Sequence, residues 1–80
     1  MTSVNALHKI ISEILRIAPG KITPDIGIHQ LDTWNSLTHI ELVISIEERF
    51  HIQLTADEIV AMTTIGGIQR ILSERGMMTP

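Results

Sequence analysis

The chain has no cysteine, no tyrosine, one tryptophan and one phenylalanine among 80 residues. Without cysteine there are no disulfides, no thiolate metal sites and no cysteine nucleophile. With so few aromatic rings the interior has to be built from isoleucine, leucine and methionine, a set that suits a small, deformable core. Long apolar runs are missing too. The stretch from Met1 to Ala18 is broken by His8, Lys9, Glu13 and Arg16, so neither a signal peptide nor a membrane-inserted segment is expected there, and the cytoplasm is the expected location. Strand signals are absent: the isoleucine-rich runs follow helical steps and no turn of Asn-Gly type joins them. No internal repeat is present. Eighty residues make one domain, with a core expected over about residues 3–75 and a flexible tail over 76–80.

Basic residues are also scarce. The net charge of −3 argues against nucleic acid as a partner. Its distribution says more than its sum. Lys9, Arg16 and Lys21 face only Glu13 in residues 1–21, and Arg70 and Arg75 face only Glu74 at the end of the chain. The middle holds Asp25, Asp32, Glu41, Glu47, Glu48, Asp57 and Glu58 against Arg49 alone. An acidic field of this kind steers basic protein partners, and more weakly as salt rises.

Four helices are expected. Val4, Leu7, Ile11, Ile14 and Ala18, flanked by Ile10 and Leu15, form one apolar stripe over Val4–Ile17, capped by Thr2 or Ser3 and stopped by Pro19-Gly20. A long loop over 19–35 follows. Ile22, Ile26, Ile28, Leu31 and Trp34 should pin it to the helices as an ordered segment. Asn35 or Ser36 caps a second helix ending near Phe50, in which Leu42, Val43, Ile46 and Phe50 face the core. Leu37, Ile40 and Ile44 fall on a second face, which has either a neighbouring helix or a partner to cover it. Thr55 and Glu58 have the spacing of a capping box for a short helix ending around Met62, and Thr64 caps a last helix closed by Gly76. Gly66-Gly67 in its first turn lowers helix propensity. The fold class is therefore all-α, a four-helix bundle with three longer helices and one short one. Its expected core is Leu7, Ile11, Ile14, Leu42, Ile46, Phe50, Leu54, Met62, Ile65 and Ile68.

Catalytic chemistry finds little support. Ser36 and His39 are neighbours on one helix, but a hydrolase also needs an orienting acid, an oxyanion hole and a cleft, for which a filled helical domain of this size has little volume. His8, His29, His39 and His51 show no metal spacing, and His39 and Glu41 fall on different sides of their helix. No Walker-type lysine accompanies the glycines. No catalytic or metal residue is assigned. Ser36 itself opens an acidic, two-faced helix after a long loop, a position that serine also takes as a plain N-cap.

The run from Leu31 through Ser36-Leu37, Glu41-Leu42-Val43 and Glu47-Glu48-Arg49-Phe50 resembles the phosphopantetheine-attachment region of acyl carrier proteins. The likeness continues through Ile52-Gln53-Leu54, the short capped helix and Thr63-Thr64-Ile65, and so covers essentially the whole chain. It implies a non-enzymatic carrier with a 4'-phosphopantetheine arm on Ser36 holding acyl groups as thioesters, in a fatty-acid, polyketide or related specialised pathway. It implies as partners a phosphopantetheinyl transferase, an acyl-activating or acyltransferase loading enzyme, and condensing or acyl-transfer enzymes, served by a monomer. Leu37, Ile40 and Ile44 match apolar docking positions, Glu41, Glu47 and Glu48 match acidic ones, and Asn35 stands beside the attachment point. The family usually has aspartate before the serine and often an acid where Thr38 stands. Asn35 keeps the capping ability and loses a charge that transferases commonly contact. Together with Trp34, which is untypical of the main fatty-acid carriers, it points to a specialised, discrete carrier. An aminoacyl or peptidyl carrier, and a helical interaction module with Ser36 unmodified, remain the alternatives.

Overall fold

A computed structural model describes residues 3–77, and side chains over 5–77. Thr2, the side chains of Ser3 and Val4, and tail residues 78–80 lie outside that description, and with them the expected cap and the first stripe position. Four helices follow in order: α1 (Ser3–Leu15), α2 (Ser36–Phe50), α3 (Ala56–Ala61) and α4 (Ile65–Glu74), with a 3-10 turn at Pro19–Lys21. The all-α expectation holds, and the sole β-type pairing among the described residues is an isolated bridge between Gly27 and Thr64.

The α1 stripe runs through Leu7, Ile11 and Leu15, all fully buried at four-residue steps, while Ile10 and Ile14 pack half-buried beside it. Leu15 therefore takes the core place expected for Ile14. The helix also ends sooner than Ile17. Arg16 enters the left-handed region at φ 57°, which breaks the helical path before proline is reached and turns Ile17 back onto the core. α2 buries Leu42, Val43 and Ile46, packs against α1, and closes on His51 at φ 56°. Phe50, expected fully inside, is half-buried against the same cluster.

The loop between α1 and α2 is strapped down as its apolar content predicts. Ile22 and Trp34 are buried, and Ile26, Ile28 and Leu31 pack half-buried against the core. Its backbone is tied to the segment entering α4: the Ile28 N–H donates to Thr63 O (2.8 Å), and the N–H groups of Ile65 and Gly66 donate to Ile26 O (3.0 Å) and Pro24 O (2.9 Å). This strap explains Gly66. A β-carbon there would lie 3.1 Å from Pro24 O and 3.3 Å from Pro24 Cβ, so the lost helix propensity accompanies a backbone approach that larger residues obstruct.

α3 and α4 begin as expected. Thr55 Oγ1 accepts from the Glu58 N–H (3.1 Å) while Glu58 returns an acceptor to the Thr55 N–H (2.9 Å), and Thr64 Oγ1 accepts from the Gly67 N–H (2.9 Å). α4 ends with Gly76 at φ 75°, its N–H donating to Ser73 O (3.0 Å) and that of Met77 to Leu72 O (2.8 Å). These paired bonds form a Schellman motif, and its usual apolar contact is Met77 against the core. Met77, expected in the flexible tail, is thus packed.

Glu58 also pairs with Arg75, whose Nε–H donates to Oε2 (3.0 Å) and whose second guanidinium nitrogen donates to Oε1. The guanidinium, and then the Thr55 N–H, bring the Glu58 pKa down from 4.5 to about 2. A carboxylate lowered on folding stabilises the native state above its unfolded pKa, and that contribution fades as pH falls through the folded value. The stability advantage of the parent over Glu58→Gln is therefore expected to be full above about pH 4.5 and to vanish towards pH 2. Denaturant midpoints measured across that range check it; a difference that does not change with pH would contradict it.

Candidate functional site

The start of α2 is set by Asn35. Its backbone is extended (φ −126°, ψ −173°), and its Oδ1 accepts from the N–H groups of Leu37 (3.0 Å) and Thr38 (3.1 Å). Thr38 Oγ1 accepts in return from the Asn35 N–H (2.9 Å) and donates to Thr33 O (2.6 Å). The result is a capping box built from asparagine and threonine. One residue earlier, Trp34 is 2% exposed and anchors the turn in the core. Its indole N–H donates to His39 Nδ1 (3.0 Å), and the two rings stack with centroids 6.2 Å apart. His39 Nε2 meets Ile59 O on α3 at 2.9 Å.

Ser36 stands between these anchors as the first residue of α2, exposed, with its hydroxyl engaged in none of the capping bonds. Serine is a favoured N-cap, yet Asn35 performs that task here. His39, three residues on, is not free to act as a general base for Ser36, because both its ring nitrogens are committed, one to the indole N–H and the other to the Ile59 carbonyl.

The apolar trio lies on the outside. Leu37, Ile40 and Ile44 are 70%, 50% and 49% exposed, which excludes core packing as their purpose. Glu41 and Glu48 are exposed as well. Glu47 is not: it is half-buried, and its Oε2 accepts from the Leu54 N–H (2.8 Å). It satisfies backbone ahead of α3 where a displayed charge was expected. Asn35 likewise spends its acceptor on the cap. Val60 on α3 is 76% exposed and was not expected, since a six-residue helix is too short to show a periodic stripe.

Residues 5–72 match the family described as Phosphopantetheine attachment site, and the chain belongs to that family. The fold is similar to that of a Mycobacterium tuberculosis protein assigned as an acyl carrier protein (Rv0033). The TM-score is 0.81 at 22% identity, with 91% of this chain and 97% of that chain covered, a likeness of fold. The protein is thus a non-catalytic carrier of the phosphopantetheine-binding type, whose domain attaches 4'-phosphopantetheine.

The residues present fit such a group. An exposed hydroxyl at a helix start places a phosphate where the positive end of the helix dipole lies. The amides of Leu37 and Thr38 are occupied by Asn35, so the phosphate would meet the dipole without those two bonds. The outward trio yields a direct test. Ile44→Ala is expected to leave the unfolding free energy within about 0.5 kcal/mol, whereas Ile46→Ala, two residues on and fully buried, lowers it by about 2–5 kcal/mol in the same denaturant titration. Equal losses would return Ile44 to the core.

Proposed function

We propose that Ser36 is the attachment point of the arm, and that the protein is a discrete acyl carrier delivering thioester-bound acyl groups between enzymes of a fatty-acid, polyketide or related specialised pathway. The observation that carries this reading is the division of labour at the start of α2: Asn35 makes the cap, and Ser36 keeps an exposed hydroxyl with no structural duty. In the modification Oγ of Ser36 attacks the pantetheine-side phosphorus of the coenzyme A pyrophosphate, the P–O bond to the adenosine half breaks, adenosine 3',5'-bisphosphate leaves and the hydroxyl proton is released; the arm then supplies the thiol that holds the acyl group. The carrier's own residues supply position and recognition.

Leu37, Ile40 and Ile44, rimmed by Glu41 and Glu48, form a face suited to partners with an apolar hollow edged by basic residues. Those partners are a phosphopantetheinyl transferase, an acyl-activating or acyltransferase loading enzyme, and condensing or acyl-transfer enzymes, met by a monomer in the cytoplasm. No helix among the described residues is long and apolar enough to cross a membrane. Asn35 supplies the same capping acceptor that aspartate would, so its presence has a structural reason that leaves modification of the next residue open.

Incubation with coenzyme A and a broad-specificity phosphopantetheinyl transferase tests the reading by intact mass. The parent is expected to gain the mass of one arm and Ser36→Ala none. No gain in either, repeated with the host's own transferase, would favour a helical interaction module with Ser36 unmodified.

A further inference from the structure

α3 has no fully buried residue, although Leu54 before it and Met62 after it are buried. Six residues are also too few for a helix to hold itself together by its own hydrogen bonds. Ile59 packs half-buried against the core, and beyond that contact the position of α3 rests on side-chain ties from its neighbours. Among the described residues there are three. Glu47 of α2 holds the Leu54 N–H, Arg75 after α4 holds Glu58, and His39 of α2 holds Ile59 O. Only the His39 tie reaches the C-terminal half of α3, and the same ring accepts from Trp34, two residues before Ser36.

The two bonds of His39 fix its protonation pattern. An indole N–H can only donate, so Nδ1 has to be an acceptor; a carbonyl can only accept, so the ring proton has to sit on Nε2. Trp34 thus selects the one neutral tautomer that can reach α3. We propose that His39 is a positioning residue that couples the Ser36 turn to the end of α3, with its tautomer set by Trp34, so that the two segments behave as one body. The bonds exist in the unmodified chain, so the inference does not depend on the arm.

The test uses the unmodified full chain. In protein with nitrogen-labelled histidine, long-range proton–nitrogen correlation spectra of the neutral ring are expected to show His39 protonated on Nε2 and bare on Nδ1. A proton on Nδ1, or an even mixture, overturns the proposal without any variant. In Trp34→Phe the indole donor is gone and the tautomer is expected to become mixed; an unchanged Nε2–H form would remove Trp34 from the account. Amide hydrogen exchange at Ile59 and Met62 gives the second readout. His39→Asn keeps an acceptor near the Nδ1 position but cannot reach Ile59, and is expected to speed exchange there by about three- to tenfold relative to α1, the equivalent of one net hydrogen bond. His39→Gln carries a donor near the Nε2 position and is expected to restore exchange to within about twofold of the parent. Equal exchange in the parent and both variants would overturn the coupling. A failed mass assay would leave these results standing, and the reverse also holds.

Discussion

The reciprocal hydrogen bonds between Asn35 and Thr38 decide where α2 begins, and with it which side chain is left over at the helix start. Asn35 Oδ1 takes two of the first-turn amides, Thr38 Oγ1 takes the Asn35 N–H, and Trp34 is driven into the core one residue earlier. Backbone groups at a helix end have to find partners, and here they find them without drawing on Ser36. The serine is held in a rigid place by its neighbours while its own hydroxyl stays exposed. A site for covalent attachment needs both properties, and they conflict whenever the same residue has to cap the helix and react.

The rest of α2 follows from its two faces. Leu42, Val43 and Ile46 turn inward, each contributing roughly 1.5–3 kcal/mol of burial. Leu37, Ile40 and Ile44 turn outward and contribute nothing comparable to folding. A domain of this size buries a modest fraction of its surface, so three exposed aliphatic side chains on one helix need a reason outside the fold. Partner recognition supplies one. The acids divide in the same way, Glu41 and Glu48 facing water and Glu47 folded back onto Leu54 N–H.

Much of this was legible in the sequence because helix starts are local. Thr55 with Glu58 and Thr64 before Ile65 act over three residues and form where their spacing predicts, and of the two residues that could cap α2 it is Asn35 that does so. The apolar loop residues also announced an ordered strap. What escaped the sequence depends on where distant segments lie. Ile14 and Leu15 are adjacent, and only the position of α2 decides which of them is buried. The early end of α1 rests on a left-handed arginine, a conformation that arginine does not advertise as glycine or asparagine would. Glu47 reads as a surface acid until Leu54, seven residues on, is brought beneath it. The role of His39 needs Trp34 from the loop and Ile59 from α3 at once.

The separation of capping from reactivity is tested most directly by the unfolding free energies of Asn35→Ala and Ser36→Ala, measured side by side by denaturant titration. The account predicts a loss of about 1 kcal/mol for Asn35→Ala and a change within about 0.5 kcal/mol for Ser36→Ala. A loss at Ser36 as large as that at Asn35 would contradict it, because Ser36 would then be a structural residue and its exposed hydroxyl would no longer stand free for attachment.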